Sequence, residues 1–230
     1  MSLRAKRYKP MPSLSPSLPF FHVQHAEFVA AARRPEELPP PTKLEIAFVG
    51  RSNVGKSSLL NKLLNRRGLA RTSSTPGCTR QINFFDVRSV AGLEIQLVDL
   101  PGYGYASRSK KERGEWAELI EHYLLERSTL RAAAVLFDSR RGMEEDDTDA
   151  VELITQHGRV SRNPPQVILV ATKVDKMPAR DRPKLVGQRF AERRIVPFST
   201  EDPTAVDAVW RALLRAADLL PVPPSLDVPG

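Results

Sequence analysis

The residues Gly50-Arg51-Ser52-Asn53-Val54-Gly55-Lys56-Ser57 place two glycines, a lysine and a hydroxyl at the spacing of a phosphate-binding loop. Each residue type has its own part in that chemistry. The glycines let the backbone turn tightly, so that its N–H groups and the N-terminus of a following helix can surround phosphate oxygens. Lys56 can reach the β and γ oxygens, and the Ser57 hydroxyl can ligate Mg²⁺. Such a loop does not by itself choose between ATP and GTP, or between a kinase and a switch. Two later groups bear on that choice. Asp99-Leu100-Pro101-Gly102 puts a carboxylate where it can hold Mg²⁺ through water, and a glycine N–H where it can meet a γ-phosphate. Thr172-Lys173-Val174-Asp175 offers a lysine stem and a carboxylate in the position expected for reading a nucleobase.

Each group follows a short apolar run, as it must if a sheet is to present all three at one edge. From Leu44 onward such runs alternate with longer helical patterns, which predicts an α/β fold. Six strands are expected: Glu45–Val49, Gln81–Val87, Leu93–Asp99, Ala132–Asp138, Val167–Ala171 and Ile195–Phe198. Helices are expected over Ser57–Asn65, Lys110–Glu126, Glu144–His157, Arg180–Arg193 and Pro203–Leu219. Only Arg88 to Gly92 separate the second and third strands, too few residues for a parallel crossover, so these two are expected to form a hairpin. The architecture is then three layers, a six-stranded, mostly parallel sheet with one antiparallel strand and helices on both faces. Glu144 to Asp147 suit the positive end of a helix dipole, and Gly158 suits its far end. In the last helix Val206, Val209, Trp210, Leu213, Ala217 and Leu220 recur at three- and four-residue steps, which makes Trp210 a core residue.

The chain has 230 residues, of which 41% are hydrophobic and 27% charged, proportions that exclude global disorder, a collagen-like repeat or a coiled-coil rod. Eight of its 20 prolines fall before residue 42 and four in the last ten. Residues 1–19 are therefore expected to be a flexible, basic, Pro-rich tail and 221–230 a second tail, with a lead-in segment at 20–43 and the domain at 44–220. Phe20 to Ala32 is apolar enough to pack on the core as a short strand or helix. The Pro- and Ser-rich stretch after the basic start is not the apolar segment of a secretory signal, and Cys78 is the single cysteine, so a cytoplasmic protein is expected. His22, His25, His122 and His157 have no metal-ligand spacing.

Three strings go further. Gly50 to Asn61 (GRSNVGKSSLLN), Thr72 to Thr79 (TSSTPGCT) and Asp99 to Ala106 (DLPGYGYA), preceded by Ala26 to Val29 and Arg34-Pro35, resemble the EngB (YihA or YsxC) family, one of the TrmE-Era-EngA-EngB-septin-like P-loop GTPases. The resemblance spans about Ala26 to Leu220. It implies a P-loop GTPase domain that binds GTP or GDP with Mg²⁺ and hydrolyses GTP slowly, as a switch in large ribosomal subunit assembly needed for normal cell division and septation. It assigns nucleotide contacts to Gly50 through Ser57, to Gly77, Cys78, Thr79, Arg80 and Gln81, to Asp99, Leu100, Pro101 and Gly102, to Thr172, Lys173, Val174 and Asp175, and to Phe198, Ser199 and Thr200. Mg²⁺ would be held by Ser57, Thr79 and Asp99. Lys56, Thr79, Gly102 and Asn53 would serve the reaction, Asn53 by helping to coordinate K⁺ beside the phosphates.

The physical chemistry of these positions agrees in part. The two oxygens of Asp175 can accept from N1–H and the 2-amino group of guanine, a donor pair that adenine lacks, and the stem of Lys173 can cover the base. Thr172 stands where relatives carry Asn, and Thr200 where a smaller residue is usual; modest nucleotide affinity is expected. Tyr103 occupies the position of the water-orienting glutamine of Ras-like proteins, so acceleration is expected to need a partner or K⁺.

The net charge of +8 asks for a second polyanion. Arg66, Arg67 and Arg71, then Arg80, then Arg108, Lys110 and Lys111, and finally Arg189, Arg193 and Arg194 form basic clusters, several beside the expected switch loops. rRNA within the large ribosomal subunit or its precursor is the expected partner, with no DNA, no stable membrane association, and a monomeric protein. The competing reading is a nucleotide-dependent RNA or ribosome docking module with negligible turnover.

Overall fold

The computed structural model describes residues 21–70, 81–103, 110–158, 164–185 and 187–220. The expected tails, the TSSTPGCT loop with Gly77, Cys78, Thr79 and Arg80, and Arg108 lie outside them.

Eight strands form one sheet: β1 Val23–Ala32, β2 Glu45–Gly50, β3 Ile82–Ser89, β4 Glu94–Asp99, β5 Leu130–Asp138, β6 Gln166–Thr172, β7 Arg189–Phe190 and β8 Arg193–Pro197. Their order is β1-β3-β4-β2-β5-β6-β8-β7. Strands β4, β2, β5, β6 and β8 run parallel, and β3 pairs antiparallel with β4 as the expected hairpin. The expectation of six strands and one antiparallel strand is corrected at both edges. β1 adds a long strand antiparallel to β3, and the short β7 runs against β8.

Among the described residues four α-helices cover the sheet: α1 Lys56–Leu63, α2 Lys110–Glu126, α3 Glu145–Gly158 and α4 Pro203–Ala216. The alternation along β2 and β5 sorts them into two layers. Ile46, Phe48, Ala132, Ala134 and Leu136 pack with α1 and α4, where Trp210 is 1% exposed and stacks on Phe21 with ring centroids 4.2 Å apart. Ala47, Val49, Ala133, Val135 and Phe137 face the other way, onto α2 and α3. Burying both faces of the central strands explains their continuous apolar character.

The helix expected over Arg180–Arg193 is not formed among the described residues. A 3₁₀ turn at Arg182–Leu185 is followed by the β7-β8 hairpin, whose turn residues Ala191 and Glu192 have φ of 46° and 65°. Pro183 lacks a backbone donor and Gly187 takes φ 79°, so neither supports a continuous helix through this stretch.

At the opposite end of β2 from the phosphate loop, Glu45 is fully buried and paired with Arg127, while Tyr123 and Thr129 donate to it at 2.8 and 2.9 Å. This satisfied network ties the end of α2 to the centre of the sheet.

Candidate functional site

Gly50 ends β2, and its position tolerates no side chain: a Cβ would lie 2.8 Å from the Leu136 carbonyl oxygen. The chain then turns through Asn53 at φ 62° and Gly55 at φ 108° before entering α1 at Lys56. Val54 is buried beneath the turn, and Ser57 sits half-buried in the first helical turn. The first N–H groups of α1 therefore open onto the loop, the arrangement in which a helix end attracts an anion.

Lys56 is 8% exposed, and its ammonium ion pairs with Asp99 and donates to the Leu100 carbonyl at 2.7 Å. Asp99, 4% exposed, closes β4, and Asn83 on the neighbouring strand donates to its second oxygen at 3.4 Å. Gln81 in turn donates to Asn83 at 2.8 Å. Past Leu100 and Pro101, a Cβ on Gly102 would lie 2.9 Å from the Gly50 carbonyl and 3.2 Å from the Ser52 nitrogen. The two loops thus meet at a distance that only glycine permits.

The third group closes the same edge. Thr172 is buried at the end of β6, and its hydroxyl lies 2.6 Å from the Val54 carbonyl and 3.0 Å from that of Phe137, sharing one proton between them. Where an amide would offer two donors, this hydroxyl still braces the phosphate loop. Lys173, at φ 57°, donates to the Asn53 carbonyl at 2.6 Å and pairs with Asp138 at 3.1 Å. Val174 N–H bonds the Phe198 carbonyl at 3.3 Å, and Ser199 donates to an Asp175 oxygen at 2.9 Å. Phe198 is buried, whereas Thr200 is exposed.

Sequence reasoning missed four residues here. Asp138, at the carboxyl end of β5, is held well below the usual carboxylate range, first by hydrogen bonding from Arg140 and then by Lys173. Its position at a strand end on this edge was the available signal. Asp147 accepts from Tyr103 at 2.7 Å and, through its other oxygen, from the Glu144 N–H at 3.0 Å. Glu144, with Asp146, captures Arg51, so Arg51 faces the start of α3.

Burial raises the Asp147 carboxyl, and Tyr103 opposes that rise, while burial and Asp147 push the Tyr103 phenol far up and keep it a neutral donor. Tyr103→Phe is expected to cost about 1–3 kcal/mol of stability at neutral pH. Without its donor, Asp147 titrates still higher. The deficit is therefore full above the raised pKa and shrinks as pH falls through it, which thermal melts across pH would show.

A phosphate loop at the carboxyl edge of a mostly parallel sheet, facing the acidic end of β4 and the Thr172 to Asp175 turn after β6, defines a nucleotide-binding protein of the P-loop GTPase class. The family described as 50S ribosome-binding GTPase matches residues 45–173. The probable GTP-binding protein EngB of Anaeromyxobacter sp. (strain Fw109-5) is 42% identical over 205 residues, covering 85% of this chain and 92% of the relative. That of Myxococcus xanthus (strain DK1622) is 42% identical over 200 residues, covering 84% and 94%. The chain belongs to the EngB family of GTP-binding proteins, and it binds and hydrolyses GTP. Its fold is shared with the crystal structure of a probable GTP-binding protein EngB (TM-score 0.52, 16% identity, 76% of this chain and 98% of the other). It is also shared with Era in complex with MgGDPNP and nucleotides 1506–1542 of 16S ribosomal RNA (TM-score 0.57, 23% identity, 82% and 63%).

Proposed function

We propose that this protein is a GTP-driven switch of large ribosomal subunit assembly, acting in the cytoplasm and through that role supporting cell division and septation. The observation that carries the nucleotide half is the buried Lys56–Asp99 pair at the mouth of the loop. A buried cation and carboxylate held against each other fit a phosphate with a divalent ion, because that ligand offers each a stronger partner. Gly50 through Ser57 with Gly102 would surround the phosphates, Ser57 and Asp99 would hold Mg²⁺ with Thr79, and Asp175 would read the base beneath the stem of Lys173. Bound Mg²⁺ supplies neutralisation of the charge on the β and γ oxygens. The hydroxyl of Tyr103 is engaged by Asp147, so this side chain does not orient water in the conformation described.

Support for the ribosomal half comes from the family description and from the rRNA bound to Era, together with the basic charge of this chain. Large-subunit particles should carry the protein through a sucrose cushion with a non-hydrolysable GTP analogue and release it with GDP. Equal recovery in both states would defeat the switch. Asn53 is proposed to help hold K⁺ beside the phosphates. Hydrolysis should then run faster in KCl than in NaCl at equal ionic strength, and equal rates with and without ribosomal particles would remove that role.

A further inference from the structure

Between Lys176 and Arg194 the chain carries seven Lys and Arg against two acidic residues, Asp181 and Glu192, so most of its net charge of +8 sits in nineteen residues. This is the stretch that folds as a 3₁₀ turn and the β7-β8 hairpin in place of a helix. Its irregular path leaves a groove of about 680 Å³ against the loop that follows β5. The groove begins at Lys176, directly after the base-reading group, and uses none of the residues assigned to the nucleotide.

Its lining has two parts. Phe137, Met143, Met177, Leu185 and Ile195 make an apolar floor, with Phe190 at one side still 36% exposed. Arg140, Lys176, Lys184 and Arg189 contribute four cations; Asp181 is the one carboxylate of the lining, and Asp138 and Glu192 pair with Arg140 and Arg189 from outside it. Three of the cations are held in place: Arg140 by Asp138, Lys184 by Asp181 at 2.7 Å, and Arg189 by the Glu192 carbonyl. Lys176 has no acidic partner among the described residues. The Ser139 hydroxyl, on a residue lining the groove, is buried without a hydrogen-bond partner there.

A ligand matched to this lining carries negative charge next to a flat apolar body. We infer that the groove binds an unpaired nucleotide of single-stranded or looped RNA, its base against Phe190 and the methionines and its phosphates on Arg140, Lys184 and Arg189. The volume falls within the ~300–1,000 Å³ of clefts that enclose small ligands, enough for a nucleotide but not for a helix. Bases in an RNA duplex stay stacked inside it and cannot fill an apolar floor, whereas a splayed base stacks readily on an aromatic side chain. Guanidinium groups already fixed by neighbours lose little freedom on taking a phosphate. An acidic peptide would satisfy the rim but leave the floor empty. The inference rests on the proposed RNA-containing partner and names where this chain would grip it.

The test uses full-length protein and a short labelled single-stranded RNA of mixed sequence, with its duplex as control, in anisotropy titrations across a salt series. Wild type should prefer the single strand. Lys184→Glu/Arg189→Glu should weaken binding about tenfold or more and flatten the salt dependence by the equivalent of about two phosphate contacts. Phe190→Ala should weaken it about fivefold or more through lost stacking, leaving the salt dependence unchanged. Guanine nucleotide affinity should be unchanged in all of these variants. Wild-type RNA binding by both variants, or preference for the duplex, would overturn the groove while leaving the ribosomal reading to its own sedimentation test. A poly-glutamate peptide that binds as tightly as RNA and is lost in the same variants would instead identify a protein partner and overturn the assignment.

Discussion

Lys56→Ala is expected to weaken GTP binding by about 100-fold or more, a loss of about 2.7 kcal/mol. Lysine supplies the only full positive charge that the described part of the loop turns toward Asp99, since Arg51 is occupied by Glu144 and Asp146. Two losses combine. The triphosphate forfeits a charge-assisted partner worth roughly 1.5–3 kcal/mol, and Asp99, 4% exposed, loses its ion-pair partner. The same stranded carboxylate should lower the stability of the ligand-free protein, so a weak titration alone would not separate a lost contact from a lost fold. Lys56→Met combined with Asp99→Asn removes both charges at similar volume. It should recover most of the melting temperature while nucleotide binding stays as weak as in Lys56→Ala. Recovery of GTP affinity in that double variant, or wild-type affinity in Lys56→Ala, would remove Lys56 from the phosphate site.

Asp175→Asn is expected to exchange specificity, weakening GTP by about 100-fold and strengthening xanthosine triphosphate by a similar factor. The side chain is set for this. One oxygen of Asp175 accepts from Ser199, and its backbone carbonyl accepts from Arg182 at 2.5 Å, which orients the carboxylate. Guanine presents two donors to it. Xanthine replaces the amino group by a carbonyl, and an asparagine amide offers the donor that carbonyl needs. Asparagine keeps an oxygen for Ser199, which confines the change to the base. Competitive titrations of the two triphosphates on both proteins measure the exchange, and an unchanged preference would take the base-reading role away from Asp175.

Much of this arrangement was legible before any coordinates. Gly, Lys, Ser and Asp occur at spacings set by chemistry rather than by packing, and each group follows an apolar run short enough to be a strand. The structure brings all three runs to one sheet edge. What escaped the sequence was decided by tertiary pairing. Along β1 the sequence does not decide between strand and helix, because register shifts near Val23 and Phe28 break the two-residue alternation, and Phe28 and Val29 remain exposed on an edge. The stretch Arg180 to Arg193 fills a gap between strands where a helix is expected, and the strand pairing of Arg189–Phe190 with Arg193–Arg194 decides for a hairpin instead. The ion partners of Arg51, Glu144 and Asp146, lie more than ninety residues away, at the start of α3. A separation of 44 residues likewise hides the bond between Tyr103 and Asp147, which no local pattern records.

The proposal that nucleotide turnover serves ribosome assembly is tested most directly by single-turnover GTP hydrolysis, measured with and without large-subunit precursor particles. Hydrolysis should be slow for the protein alone, because Tyr103 is held by Asp147, and should rise about tenfold or more when the particles are added. An unchanged rate with every ribosomal particle would contradict a hydrolytic switch and leave a docking module whose turnover is incidental.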